Sequence, residues 1–108
     1  MNLKEFYNLI KDVCSTSHYE SDEEDFPRQV YSEYATNYDY ASNIGYTKKV
    51  SINLSHYSKV EFDETELELE RILLEAKDVS FAKETNYDHE NKVIENFYDI
   101  EISEEMKL

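Results

Sequence analysis

The chain has 108 residues, 25 of them acidic against 11 basic, for a formal net charge of -14. That length suits one domain with room for a modest hydrophobic core, and that charge disfavours phosphate backbones and membrane surfaces while attracting basic clefts. An aromatic content of 14% is too high for a disordered acidic tail.

Cys14 is the single cysteine, which excludes an intramolecular disulfide and makes a reducing cytoplasm the expected location. The first residues, MNLKEFYNLIKDVC, lack a basic region leading into a long apolar run. No secretory signal is expected, and no stretch approaches the length that spans a bilayer. Residue types with AT-rich codons (Phe, Tyr, Met, Ile, Asn, Lys) number 41 against eight Gly, Ala, Arg and Pro, as expected of a low-GC bacterium or its phages.

In chain order, Leu3, Phe6, Tyr7, Ile10, Val13 and Cys14 recur at helical spacing, and Asn2 with Glu5 forms a capping box, predicting a helix over 3–14. Polar residues 15–21 break it, and SDEEDFP (21–27) is an acidic connector. Between Phe26 and Gly45 two patterns compete. Phe26, Val30, Tyr34, Tyr38 and Ala41 fit a helix, whereas Val30, Tyr34, Tyr38 and Tyr40 fit one face of a strand; the Tyr and Thr content favours an extended segment. Val50, Ile52, Leu54 and His56 alternate with polar residues as a half-buried strand. Asp63, with Glu66 at the capping-box position, opens a helix running to Asp78, with Leu69, Ile72, Leu73 and Ala76 as its buried stripe and Lys77 in its last turn. Val79, Phe81 and Lys83 predict a short strand, TNYDHEN (85–91) a turn, and Ile94, Asn96, Tyr98, Ile100 and Ile102 the inward face of a closing strand. The order predicts a single α+β domain, residues 1–108, in which two helices cover an antiparallel sheet.

Three acidic clusters stand out. Glu64, Glu68 and Glu75 share a stripe on the second helix, where i and i+4 lie about 6 Å apart along the axis. Asp22, Glu23, Glu24 and Asp25, with Glu20, form the second. Glu95, Asp99 and Glu101 alternate along the outer face of the last strand, with Glu104 and Glu105 beyond. The charge exceeds the roughly 2–8 units that solubility of a small domain asks for, so a fixed row of carboxylates offered to a basic cleft competes with the reading of a merely solvated surface.

The segment SEYATNYDYASNIGY (32–46) holds four tyrosines among polar residues. Tyrosine offers apolar area, few rotatable bonds and a polar tip. Tyr34 and Tyr38 are expected to be partly buried, and Tyr40 and Tyr46, near the turn, to be contact residues. Cys14 and His18 would share a face if the first helix ran on, a start for a zinc site needing further ligands from Asp22, His56, Asp88 or His89. A Cys14, His56, Asp88 set can be written for catalysis, but carboxylates are too abundant to single out an acid and a base. One glycine leaves no phosphate-cradling loop. An enzyme is not expected.

Taken together, SDEEDF (21–26), DETELELERILLEAKD (63–78), YDIEISEE (98–105) and the tyrosine segment resemble, in composition, the small acidic anti-defence proteins of phages and mobile elements. The nearest in style are the type II-A anti-CRISPR proteins, followed by antirestriction DNA mimics. The resemblance implies an inhibitor that binds an RNA-guided nuclease and blocks target DNA from its basic channel. No cofactor is expected, and the net charge argues against direct nucleic-acid contact. The alternatives are an acidic protein–protein interaction module of a phage or bacterial operon and a small zinc-binding protein.

Overall fold

The alternation at Val50–His56 belongs to a strand twice as long as those residues. The computed structural model describes residues 1–20, 25–41 and 45–106. Its elements run α1 (Leu3–Ile10), β1 (Ser15–His18), β2 (Arg28–Ala41), β3 (Gly45–Ser58), α2 (Glu64–Glu75), β4 (Val79–Asp88) and β5 (Val93–Met106). The strands form one sheet in the order β1-β2-β3-β5-β4. The α+β architecture with two helices is the expected one. The sheet is antiparallel throughout except where β1 lies parallel to β2, pairing Ser15–His18 with Arg28–Tyr31.

Both helix starts follow the sequence. Asn2 and Glu5 exchange side-chain-to-backbone hydrogen bonds, so the capping box is formed. Asp63 caps α2 by accepting from the Thr65 amide at 2.8 Å. Glu66 does not close a capping box there, because it is drawn sideways to Lys83. α1 stops at Ile10, four residues short of expectation, and the residues expected only to break it supply β1 instead. α2 ends at Glu75, leaving Lys77 beyond its last turn. β4 is longer than expected. It runs through Asp88 in unbroken register with β5 and takes in half of the segment assigned to a turn.

One face of the sheet is covered. Phe6 and Ile10 of α1 and Leu69 and Leu73 of α2 pack onto Tyr31, Val50, Ile52, Leu54, Tyr98, Ile100 and Ile102, all buried. Each fully buried aliphatic side chain here contributes about 1.5–3 kcal/mol. Length decides how much of the sheet is covered. Strands of 14 residues extend about 46 Å, whereas helices of eight and twelve residues span about 12 and 18 Å. Both ends of the covered face therefore stay bare, and neither helix packs on the opposite face, where Tyr19 and Glu20 lie beside Val30, Asn53 and Tyr57.

The tyrosine segment lies on β2 but not on one face. Ala35 pairs with Ser51 and Glu33 with Ile52, so Tyr34 is an extra residue without a partner, a β-bulge. The bulge reverses the alternation. Val30 and Tyr34 face the open side, and Tyr38 and Tyr40 face the helix side beyond the reach of α1. Tyr34 and Tyr38, expected to be partly buried, are both exposed.

Candidate functional site

Along β5, residues at odd positions point away from the helices. Glu95, Asp99, Glu101 and Glu105 thus form a row on the open face, with Glu84 of β4 directly opposite Phe97. Successive outward positions are about 6.6–6.8 Å apart. None of these five carboxylates has an ion-pair partner among the described residues. Lys49, on this face, is engaged by Asp39 at 3.0 Å, and the Glu101 charge also acts on it. Arg28, at the far end, lies over the rings of Phe26 (4.4 Å) and Tyr57 (5.3 Å). The row carries hydroxyl partners instead: Tyr34 Oη donates to Asp99 at 2.8 Å.

The second-helix stripe is different. Glu68 and Glu75 flank Arg71, whose guanidinium contacts them at 2.5 and 2.7 Å. Of the three glutamates assigned to that stripe only Glu64 has no ion-pair partner among the described residues; it sits in the first turn, where the helix dipole favours a carboxylate. In the acidic connector Asp25 is exposed, and Asp22, Glu23 and Glu24 lie outside the described residues.

Tyr40 and Tyr46 do meet at the end of the β2–β3 hairpin, ring centroids 5.4 Å apart, with Tyr38 5.5 Å from Tyr46 on the other side. Tyr40 is exposed and Tyr46 half-buried. This cluster lies on the opposite face from the acidic row.

The metal reading loses its geometry. Because α1 ends early, Cys14 and His18 do not share a helical face. His18 Nε2 bonds Glu33 at 2.7 Å and its ring stacks on Tyr19 and Tyr31. Tyr19 also donates to Glu33. Burial acts to raise the Glu33 pKa, but these hydrogen bonds outweigh it and hold the carboxyl below its ordinary value of 4.5. His18 is thus a brace between β1 and β2. Among the described residues no group of three or more His, Cys, Asp and Glu side chains could hold a metal ion.

A feature not read from the sequence is a polar row crossing four strands beneath the helices. Gln29, His56, Asn96 and Thr85 are cross-strand neighbours in turn, and the first three are buried. Gln29 donates to the Ile10 carbonyl and the Thr16 hydroxyl, both at 2.9 Å. Thr65 donates its hydroxyl proton to Asp63, so at 2.7 Å it accepts from His56 Nε2. Burial lowers the His56 pKa from 6.5, consistent with a neutral ring. Gln29 Oε1, His56 Nδ1 and Asn96 Nδ2 have no partner among the described residues. Alternation flagged His56 and Asn96 as inward, but register alone aligns them.

Cys14 reaches this row through Thr65, and Asp63, not Asp88, is the neighbouring carboxylate. Burial and the Asp63 charge push its thiol up to about 11 from 9.0. Two units lower the thiolate fraction about 100-fold, the reverse of an activated nucleophile. Alkylation of Cys14 by iodoacetamide at pH 8 should run at least tenfold slower than that of free cysteine; an equal or faster rate would restore the nucleophile reading.

No helix among the described residues is long and apolar enough to cross a membrane. No protein-family model matches the chain, and no curated protein is similar to it.

Proposed function

We propose that this chain is a non-enzymatic inhibitor that occupies the basic nucleic-acid cleft of a protein partner in place of DNA, with a type II RNA-guided CRISPR effector nuclease as the target class. The reading is carried by the open row Glu95, Asp99, Glu101 and Glu105, with Glu84 beside it and no cation among the described residues paired to any of them.

Dimensions support it. The molecule measures 54 × 23 × 21 Å, a rod with a cross-section comparable to that of a nucleic-acid duplex. Its net charge of -14 spread over that length is about one negative charge per 4 Å, somewhat under half the linear charge density of the duplex and close to that of one of its strands. A slab enclosed by a cleft meets the partner on both faces. The acidic row then sets the rate of arrival, and Tyr38, Tyr40 and Tyr46 on the opposite face slow departure.

The test is competition. Labelled target DNA bound to the guide-loaded nuclease should be displaced stoichiometrically, and affinity for the nuclease should fall at least tenfold between 50 and 200 mM salt. Simultaneous binding of DNA and inhibitor, or inhibition indifferent to salt, rules the proposal out. Simultaneous binding with salt-insensitive affinity would favour the second reading, an interaction module without a nucleic-acid competitor, for which the tyrosine cluster would be the contact.

A further inference from the structure

The two edges of the sheet are built differently. On one, β1 covers the first four residues of β2, and the Tyr34 bulge interrupts the remainder. The other is β4. Ten residues, Val79–Asp88, pair with β5 on one side in continuous register. No backbone hydrogen bond among the described residues reaches the other side. The strand contains neither glycine nor proline. Soluble proteins protect such edges with bulges, prolines or inward-pointing charges. The inward charge here, Lys83, is turned onto Glu66 and Glu70 of α2, which leaves the backbone edge open.

Beside this edge, at the bare end of the helix side, lies a cleft of about 510 Å³, within the range of ligand-binding pockets. Phe62, Tyr87 and Ile94 form its apolar wall, Thr85 and Asn96 its polar floor, and two lysines and two glutamates (Lys59, Lys83, Glu61, Glu66) its charged rim. Phe62 is 80% exposed and held at φ 56°, a left-handed conformation that costs a residue with a Cβ about 1–2 kcal/mol. Asn96 is 1% exposed; its Oδ1 accepts from the Thr85 hydroxyl at 3.0 Å, and its Nδ2 has no partner among the described residues. An apolar wall, an exposed aromatic and a buried unpartnered amide thus converge next to a row of unpaired backbone groups.

We propose that the free edge of β4 receives an extended segment of a protein partner by strand addition, and that the segment alternates apolar and basic residues. Main-chain hydrogen bonds to an edge give affinity, and alternate side chains give selectivity. Side chains on the helix side fall beside Tyr87 and Phe62 and enter the cleft, which selects apolar groups. Those on the open side fall beside Glu84, with Glu95 and Asp99 on the next strand, which selects lysine or arginine. Charge decides against a second copy of this chain, since pairing β4 with itself would bring together two bodies of net charge -14. The inference does not rest on the DNA-competition reading, because edge recognition is independent of whether the partner binds nucleic acid.

The probe is a fluorescein-labelled ten-residue peptide of alternating lysine and leucine, titrated into the whole chain with backbone amide signals followed by NMR. Saturable binding is expected, with shifts concentrated in β4 from Ala82 to Asp88 and at Phe62. Affinity should fall at least tenfold for the same peptide N-methylated at every residue, and at least fivefold for Phe62→Ala, whose exposed side chain the fold does not need. Equal affinity for the N-methylated peptide, or for one with its lysines and leucines in separate blocks, would mean charge attraction alone and would overturn the proposal. So would sedimentation showing a dimer that protects the β4 amides in the absence of peptide.

Discussion

Reversing the outward row of β5, with Glu95→Lys, Asp99→Lys and Glu101→Lys combined, is expected to weaken binding to the basic-cleft nuclease about 100-fold and to abolish inhibition at stoichiometric concentration. A hundredfold is about 2.7 kcal/mol, or roughly 0.9 per site. That is modest for a change that turns an attractive contact into a like-charge one inside a cleft. The fold should tolerate the triple variant. Asp99 and Glu101 are exposed and Glu95 half-buried, and none has an ion pair to lose among the described residues. Asp99 would give up the hydroxyl of Tyr34, itself exposed. Far-UV circular dichroism should be unchanged and the melting temperature within a few degrees of the parent.

The contrasting variant reverses Glu64, Glu68 and Glu75 on α2. Composition alone makes this stripe an equal candidate, but Arg71 already balances part of it. Its reversal should reduce binding less than tenfold while lowering stability, because two lysines would then flank Arg71 and the third would sit at the positive end of the helix. If the α2 variant lost inhibition and the β5 variant kept it, the open sheet face would not be the binding surface.

The second large effect concerns Lys83. Its Nζ lies 2.6 Å from Glu66 and 3.0 Å from Glu70, and those carboxylates are only 13% and 25% exposed. Lys83→Ala should cost about 2–3 kcal/mol, somewhat under the 3–5 kcal/mol for breaking a fully buried pair. In a domain of this size that lowers the melting temperature by about 10–20 °C. Arg71→Ala removes a similar-looking triad, but its glutamates are 46% and 66% exposed, and the cost should stay below about 1 kcal/mol. Burial acts to lower the Lys83 pKa, yet the two glutamates leave it above 10.5. A lysine with a raised folded pKa stabilises fully below its unfolded value and loses that stabilisation as pH rises through the folded one. The stability gap between parent and Lys83→Met should therefore be constant from pH 8 to 10 and close above about pH 10.5. A gap unchanged at pH 12 would mean that the lysine acts through its aliphatic stem alone.

How much of this was legible beforehand depends on the range of the interaction. The caps at Asn2 and Asp63, the alternation of β3 and β5 and the apolar stripe at Leu69 and Leu73 are local, each complete within about a dozen residues. The outward row on β5 follows from a period of two, so its geometry is as much a property of the sequence as its charge. The Tyr34 bulge is not local. Ser51 lies seventeen positions beyond Tyr34, and only the pairing of β2 with β3 shows that one residue is left over and that Tyr38 and Tyr40 change face. The same holds for Ser15–His18, four polar residues without apolar alternation, which form a strand because β2 offers them an edge.

The sequence groups the carboxylates into clusters, and the fold sorts them into roles. Glu66 and Glu70 hold Lys83, Glu68 and Glu75 hold Arg71, Glu33 braces β1, and Glu84, Glu95, Asp99, Glu101 and Glu105 have no ion-pair partner among the described residues. Composition determined that the chain would be folded and strongly negative, and local patterning determined where its helices and central strands begin. Which carboxylates remain free, which polar atoms line up beneath the helices and which edge stays open were decided by strand register and by helices too short to cover their sheet, because each depends on residues brought together across tens of positions in the chain.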